Sequence, residues 1–348
     1  MSFLGKYYKP WSLFWIIQRF ILVIKQGSFS QISFKTLITD YKSTKKVNKS
    51  LKIKSSADHS SKNSGNNISS FSSSSSKEET QRLVTCLDLD QDTLSSLNEY
   101  FDHIYVVNLV RRADRRHEMV QKLTKLKIKA EFFPAEDGTS EDNLREFSDY
   151  LSTPIDPENA HELEIKLKRK AIFSPGAWGT LKTYRNILIE ATNKGFDNIL
   201  CLEDDAIFSK NFEELFNKAN KIIPENWEIL YLGASQHSWE ESVDLVYPSV
   251  KFDENAAIKY YLPLNTDGAF AVGLSCKVFS YLISEINKMN CAFDSGALRS
   301  ATKAFQGGCF VVNPNLIIAD VRDSDIRIGR KQSDFAEIVR WDLNLYDL

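Results

Sequence analysis

Short apolar segments alternate with amphipathic helical segments between residues 104 and 232, and this pattern constrains the fold more than any other feature. Residues 104–109 are apolar and rich in β-branched side chains, which predicts a buried strand, and residues 113–127 follow with apolar positions at helical spacing. Further strands are predicted at 129–134, 198–202 and 228–232, and further helices at 181–194 and 211–222. Strands that alternate with helices form βαβ units. We therefore predict an α/β fold with a mixed, mostly parallel sheet covered on both faces.

Charge is distributed unevenly along the chain. Residues 1–76 carry 12 Lys and Arg against 2 Asp and Glu, whereas residues 77–348 carry 32 against 44. Twelve of the 22 residues from 55 to 76 are serine, a composition that cannot bury enough apolar surface to offset its ordering entropy. We predict a basic segment over 1–42, a disordered linker over 43–82 and an α/β domain over 83–348.

The basic segment contains an amphipathic helical pattern over residues 6–25. Its apolar run, residues 13–24, is interrupted by Gln18 and Arg19 and is too short to span a membrane. With Lys6 and Lys9 ahead of it, the pattern fits a helix that lies in a membrane interface. The alternative is a helix that docks on the globular domain or on a partner. The five cysteines show no metal-site or disulfide spacing, which favours a reducing compartment. We therefore expect a cytoplasmic protein, peripheral on the cytoplasmic face of a membrane if the helix lies in the interface.

Three adjacent carboxylates, Glu203, Asp204 and Asp205, follow the predicted strand 198–202 directly. Adjacent carboxylates repel one another, and a cation relieves that repulsion. Ligands of open α/β sheets bind outside the carboxyl ends of the strands, and oxygen ligands suit Mg²⁺ or Mn²⁺. The alternative is a solvated acidic turn that caps the following helix. The position after an apolar strand favours the metal site.

A basic cluster lies where the first strand meets its helix. Asn108 is followed by Arg111, Arg112, Arg115 and Arg116, so that a strand, a polar turn and a helix start form an anion site. The dinucleotide-binding glycine fingerprint is missing from the sequence. The alternative is an exposed basic helix start.

The order of these motifs resembles glycosyltransferase family 25, which includes lipopolysaccharide biosynthesis transferases and collagen β-galactosyltransferases. The resemblance covers roughly residues 102–330. Its main blocks are 104–115 (IYVVNLVRRADR), 133–138 (FPAEDG) and 202–208 (LEDDAIF), followed by weaker ones at 224–233, 267–271, 293–294 and 319–327. Each block taken alone is not specific to the family, but the order of the blocks along the chain is specific.

The resemblance implies a GT-A-like, Rossmann-type sandwich fold, a nucleotide-sugar donor that is often UDP-galactose, and a divalent metal, Mn²⁺ or Mg²⁺. It implies a glycan or lipid-linked glycan as acceptor. Carried over by position, it assigns metal binding to Glu203 and Asp205. Asp323 and Asp325, in the C-terminal block, are candidates for a late metal ligand. The nucleotide-sugar-binding residues that it implies are Asn108, Arg111, Arg115, Asp137, Thr183 and Asp204.

One block departs from the family pattern. Where the family usually has Gly-x-x-Gly-Cys-x-x-Ser-His, residues 176–184 read GAWGTLKTY. Thr183 keeps a hydroxyl at the serine position, but Tyr184 replaces the histidine. This change motivates a hypothesis in which the chain is a non-catalytic nucleotide-sugar-binding scaffold.

An inverting transferase also needs a carboxylate that removes the proton of the acceptor hydroxyl. The best candidate is Asp294, after the apolar residues 291–293, with a helix cap as the alternative role. The five histidines show no metal-ligand spacing, and His161 and His237 are interpreted as structural or exposed.

The leading hypothesis is a metal-assisted glycosyltransferase that moves a hexose, with galactose favoured. A family 2-like transferase and the non-catalytic scaffold are the alternatives. Nucleic-acid binding is not expected, because the α/β domain is acidic and has no extended basic patch with interleaved aromatic residues.

Overall fold

The computed structural model describes residues 94–237, 258–263, 265–322, 324–326 and 329–348. The predicted basic segment, the predicted linker and the membrane-interface helix at residues 6–25 lie outside these residues and stay predictions. Among the described residues, no helix combines the length and the apolar character needed to cross a membrane.

A seven-stranded sheet forms the centre of the domain. The strands of the chain are β1 His103–Asn108, β2 Glu131–Pro134, β3 Asn198–Glu203, β4 Ala206–Phe208, β5 Ile229–Gln236, β6 Lys259–Tyr261, β7 Thr266–Ser275, β8 Cys309–Asn313 and β9 Ile317–Ala319. The sheet order is β2-β1-β3-β7-β5-β8-β6, and β4 and β9 form a separate antiparallel pair.

The sheet is mixed, as predicted, and five of its strands run in one direction. β1 pairs in parallel with β2 and β3, and β5 pairs in parallel with β8. Only β7 and β6 run the other way, because β7 is antiparallel to β3 and β5, and β6 is antiparallel to β8. The prediction of an α/β fold with a mostly parallel sheet is confirmed.

Helices lie between the strands. The α-helices are α1 Ser96–Tyr100, α2 Ala113–Lys125, α3 Glu141–Ser152, α4 Glu162–Leu167, α5 Pro175–Lys194, α6 Phe212–Asn220, α7 Cys276–Asn287, α8 Arg299–Ala304 and α9 Gln332–Val339. A π-helical turn, Asp294–Leu298, precedes α8. The helix predicted over 181–194 begins six residues earlier, because the Ser174 hydroxyl caps the N–H of Ala177 and Pro175 occupies the first helical position.

Two hydrophobic layers cover the sheet, one on each face. Along β1, Ile104 and Val106 belong to one layer and Tyr105 to the other, as the alternation of side chains along a strand requires. The first layer packs against α2 and α6, and the second packs against α5 and α7. Burial on both faces explains why β1 and β3 are almost continuously apolar.

The order of the central strands places the candidate site. The chain passes from β1 to β2 on one side of β1, and later to β3 on the other side. This reversal is a topological switch point, where ligands of open α/β sheets bind beyond the carboxyl ends of the strands. Asn108 is the last residue of β1 and Glu203 is the last residue of β3.

Candidate active site

A cleft with a volume of about 360 Å³ opens at the carboxyl ends of β1 and β3. Nine of the ten side chains singled out from the sequence line it, although they come from six separate segments of the chain. These nine are Arg111, Arg115, Asp137, Thr183, Glu203, Asp204, Asp205, Asp294 and Asp325. The tenth, Asn108, lies behind the cleft wall and is 3% exposed.

Asn108, Asp204 and Arg115 form one buried network. The Asn108 amide donates to Asp204 Oδ2 at 2.7 Å, and Arg115 Nη1 donates to Asp204 Oδ1 at 2.9 Å. Both oxygens of Asp204 therefore have protein partners. The network ties the end of β1 to the residue after β3 and fixes Arg115 at the cleft, which gives Asn108 and Asp204 an orienting role in this arrangement.

Asp205 has a different environment from its neighbour. Its side chain is 14% exposed, its Oδ2 lies 3.8 Å from Arg115 Nη1, and its Oδ1 is buried without a hydrogen-bond partner. Burial raises the pKa of Asp205 to about 7, a rise that Arg115 opposes and Asp204 reinforces. Burial, followed by repulsion from Asp205 and Asp204, also raises the pKa of Glu203 well above its ordinary value. The two carboxylates thus form an electrostatically unfavourable pair that a bound cation would relieve.

The donor set fits a metal that takes most of its ligands from a substrate. Over the part of the chain that the structure describes, no group of three or more His, Cys, Asp or Glu side chains is arranged to hold a metal ion. Mg²⁺ in phosphate-transferring sites is often bound by one or two carboxylates, together with waters and substrate phosphates. Glu203 and Asp205, with the unsatisfied Asp205 oxygen, meet that smaller requirement.

Asp325 is held by arginines in this arrangement. Arg111 Nη1 donates to Asp325 Oδ1 at 3.1 Å, and Arg112 Nη1 donates to Oδ2 at 2.9 Å. Arg111 also donates from Nε to Asp137 Oδ2 at 3.0 Å. Because both Asp325 oxygens have guanidinium partners, the geometry gives its predicted role as a metal ligand no support. In this arrangement Asp325 is a partner of the basic cluster, and its role as a metal ligand stays a prediction. The other candidate, Asp323, lies outside the described residues.

Thr183 lies beneath the cleft and positions the turn that carries Asp137. Its hydroxyl donates to the carbonyl of Gly179 and accepts the N–H of Glu136 at 2.9 Å. A Cβ at Gly138 would lie 1.9 Å from the Pro175 carbonyl oxygen, and a Cβ at Gly179 would lie 2.3 Å from that of Glu136. The backbone of α5 therefore lies directly against the turn after β2, and this contact requires glycine at both positions.

Tyr184, which replaces the family histidine, does not line the cleft. It is fully buried, its hydroxyl donates to the carbonyl of Ala269 in β7 at 2.8 Å, and its ring stacks on Phe293 at 3.9 Å between centroids. Phe293 precedes Asp294 directly. Tyr184 therefore joins three segments, α5, β7 and the π-helical turn, behind the cleft.

A second part of the cleft lining comes from β5, β7 and the π-helical turn. It consists of Ser235, His237, Asp267 and Asp294, which we call the far wall. Arg299 lies beside it and donates from Nη2 to Asp267 Oδ1, while His237 Nε2 lies 3.7 Å from Asp267 Oδ2. Sequence analysis identified Asp267 only as the start of a family block, and it did not identify Arg299. The interpretation of His237 as structural or exposed missed its place in the cleft.

Asp294 lies in the far wall at the start of the π-helical turn. Its Oδ1 accepts the N–H of the next residue, Ser295, at 2.7 Å. It is half-buried, and its negative charge contributes to the raised pKa of Glu203. Asp294 therefore faces the same cleft as the metal candidates, and π-helical turns recur at functional sites.

Comparisons with known proteins agree with the motif order. The model of glycosyltransferase family 25 (LPS biosynthesis protein) matches residues 101–285, which are 185 of the 348 residues. The mouse protein named inactive glycosyltransferase 25 family member 3 is 28% identical over 149 residues, which cover 41% of this chain and 24% of that protein. Zebrafish procollagen galactosyltransferase 1 is 25% identical over 166 residues, which cover 44% of this chain and 25% of that protein. The matched segments thus span about a quarter of the length of these relatives.

Among solved structures, mouse xyloside xylosyltransferase 1 in its apo form aligns with 59% of this chain and 69% of its own, with 10% identity and a TM-score of 0.29. A TM-score of 0.29 does not indicate a shared fold. The family match, in contrast, covers more than half of the sequence and includes the blocks around Asn108, Asp137 and Glu203. This match decides against the family 2-like alternative. The chain belongs to glycosyltransferase family 25.

Proposed function

We propose that the chain is a metal-assisted glycosyltransferase that moves a hexose from a nucleotide sugar to a hydroxyl of a glycan acceptor. We further propose a GT-A-like fold, a UDP-linked donor with galactose favoured, and inversion at the transferred carbon. The proposal takes lipid-linked glycans as one acceptor class.

The observation that carries the proposal is the pair Glu203 and Asp205 at the switch point, beside Arg111 and Arg115. Two partly exposed carboxylates next to arginines suit a ligand that brings both a cation and an anion. A metal–diphosphate complex is such a ligand. The cation would bind Glu203 and Asp205, and the phosphates would bind the guanidinium groups.

The arginines supply the donor side. Arg115 is fixed by Asp204 at 2.9 Å, so its orientation is set before a ligand arrives. Arg111 is 44% exposed and pairs with Asp137 and Asp325, so an incoming phosphate would exchange for these carboxylates. Arg115 thus orients the diphosphate, and Arg111 closes on it. A divalent metal bound at Glu203 and Asp205 would supply charge for the leaving diphosphate.

Asp294 is the proposed general base. The acceptor oxygen forms a bond to the anomeric carbon of the sugar while the bond from that carbon to the diphosphate oxygen breaks, and the hydroxyl proton passes to the Asp294 carboxylate. The nucleoside diphosphate leaves toward the arginine side.

A second candidate function is a nucleotide-sugar-binding scaffold without transfer activity. Two observations favour it: the mouse relative is named inactive, and both oxygens of Asp325 are occupied by arginines. In this alternative the donor site binds, but no sugar is transferred.

The test is a screen of the full-length chain against a panel of nucleotide sugars in Mn²⁺. Binding and slow hydrolysis are measured for the wild type, for Asp205→Asn and for Asp149→Asn, which changes an exposed aspartate on α3. We expect one donor to bind and be hydrolysed by the wild type and by Asp149→Asn, and both signals to disappear in Asp205→Asn or with a chelator. Binding without hydrolysis or transfer would favour the scaffold, and no binding by folded wild type would overturn both functions.

A further inference from the structure

We propose that Asp267 is a specificity-determining residue that binds hydroxyl groups of the acceptor sugar on the far wall, next to the base Asp294. The inference rests on the proposed transferase function and names a residue for its acceptor half. It also assigns a chemical class to the acceptor, which is an uncharged polyol at the position that Asp267 contacts.

The backbone around Asp267 is bent in a way that directs the side chain into the cleft. The pairing of β7 with β5 shifts register between Gly233 and Ser235, next to the Ser235–Asp267 pair. Gly268 has φ of +94°, a conformation that side chains other than glycine rarely adopt. Such irregularities in a strand re-aim side chains and are common beside active sites. Asp267 thus reaches the cleft surface at an irregular position of the strand.

Arg299 fixes the Asp267 carboxylate from one side. Its guanidinium donates to Oδ1 and is 21% exposed, and Arg299 itself is not among the residues that line the cleft. Burial lowers the pKa of Arg299, but Asp267 and Asp294 raise it further, so that the net pKa is above its ordinary value. The Arg299 guanidinium thus lies beside two carboxylates that face the cleft.

The chemistry of the wall follows from this arrangement. An ionised carboxylate only accepts hydrogen bonds, and it has about four acceptor positions, so Asp267 can accept from a ligand while it keeps Arg299. Two carboxylates in one wall of the cleft favour hydroxyl donors and disfavour an anionic ligand. The far wall therefore selects neutral sugars over acidic ones.

The two carboxylates are also held in a fixed relation. Tyr184 donates to Ala269, two residues after Asp267, and stacks on Phe293, which precedes Asp294. Arg299 follows the π-helical turn that begins at Asp294 and pairs with Asp267. Because two separate contacts connect the same two segments, a ligand that reaches one carboxylate is placed relative to the other.

The test separates the acceptor from the donor. With the donor found in the screen, transfer by the full-length chain is measured to methyl β-galactoside and to methyl β-glucuronide, an acidic sugar of similar shape. Hydrolysis of the donor is measured in parallel, because it needs no acceptor sugar. The variants are Asp267→Asn, which removes the charge, and Asp267→Glu, which keeps it, with Asp149→Asn as the control and a thermal unfolding curve for each.

We expect Asp267→Asn to raise the KM for methyl β-galactoside about tenfold to a hundredfold. The preference of the enzyme for methyl β-galactoside over the acidic sugar should become smaller. The KM for the donor and the rate of donor hydrolysis should stay at wild-type values. If Asp267→Asn does not fold, Asp267→Glu provides the same test, with a raised acceptor KM and an unchanged preference against the acidic sugar. Unchanged acceptor KM, or hydrolysis that falls in parallel with transfer, would overturn the inference. Failure of the wild type to hydrolyse or transfer any donor would instead count against the proposed function.

Discussion

The two sides of the cleft balance their charges in different ways. On the side formed by β1 and β3, Arg111 pairs with Asp137 and Asp325, and Arg115 pairs with Asp204. Asp205, next to Asp204, keeps an oxygen without a hydrogen-bond partner. On the far wall, as far as the structure describes it, Arg299 pairs with Asp267 and lies beside Asp294, and His237 Nε2 lies 3.7 Å from Asp267 Oδ2. The first side suits a ligand with a cation and phosphates, and the second suits a ligand with hydroxyl groups. In the proposed function, the donor therefore binds on the first side and the acceptor on the far wall.

The largest expected effect separates the two sides by activity. Asp294→Asn removes the proposed base, so transfer should fall by about 10²- to 10⁴-fold, while donor affinity stays unchanged. Transfer rates and donor binding are measured on the same preparation, with Asp149→Asn as the control. A transfer rate within a few-fold of the wild-type rate would show that Asp294 is not the base. Its main role would then be the hydrogen bond to Ser295.

The next effect concerns stability on the arginine side. Arg115→Gln should lower the free energy of unfolding by about 3–5 kcal/mol, because it leaves the buried Asp204 carboxylate without its guanidinium partner. Denaturant unfolding measures the change, and Arg145→Gln, at an exposed position on α3, is the matched control. A loss below about 1 kcal/mol would mean that the pair behaves as a surface salt bridge and does not organise this side.

A smaller effect tests whether the Asp205 carboxylate destabilises the folded chain when no metal is bound. The pKa of Asp205 is raised to about 7 in the folded chain, whereas it is about 4 in the unfolded chain. The free energy of unfolding therefore falls as the pH rises from about 4 to about 7, and the loss is constant at higher pH. With chelator present, Asp205→Asn should therefore be more stable than wild type at pH 8 by about 1–3 kcal/mol, and the difference should vanish near pH 4. Unfolding curves at the two pH values measure it. Equal stability at both would show that Asp205 is not destabilising.

The smallest effect concerns the connection behind the far wall. Tyr184→Phe keeps the stacking on Phe293 but removes the hydrogen bond to Ala269, which should cost about 1 kcal/mol of stability. Transfer should change little, because Tyr184 does not line the cleft. A large loss of donor binding with unchanged stability would contradict this, since it would give Tyr184 the direct role expected of the family histidine.

The arginine side was predictable because its residues follow local patterns. Asn108 and Glu203 each end an apolar strand, and parallel strands that share a carboxyl edge bring their following residues together. The strands at 103–108 and 198–203 and the helix at 113–125 agree with the predicted elements to within two residues.

The far wall was not predictable in the same way. Asp267 reaches the cleft because β7 runs antiparallel between β3 and β5 with shifted register, and neither property is encoded locally. The importance of Arg299 depends on a partner 32 residues away. The one available signal was the pair Asp267-Gly268, a glycine inside a strand pattern that indicates a bulge or a close approach.

Asp325 shows a second limit of sequence analysis. Its position in the C-terminal block suggested a metal ligand, but Arg111 and Arg112 bind both of its oxygens. Which carboxylate pairs with which cation depends on the packing of segments more than 200 residues apart, and spacing along the chain carries no information about it.

The most direct test of the central claim is a calorimetric titration of UDP into the full-length chain, with and without Mn²⁺. If Glu203 and Asp205 hold a cation that binds the diphosphate, Mn²⁺ should tighten UDP binding by about tenfold or more in the wild type and in Asp149→Asn, but not in Asp205→Asn. If UDP binds equally well with and without Mn²⁺ in all three proteins, or binds to none of them, the cleft is not the metal-dependent nucleotide site proposed here.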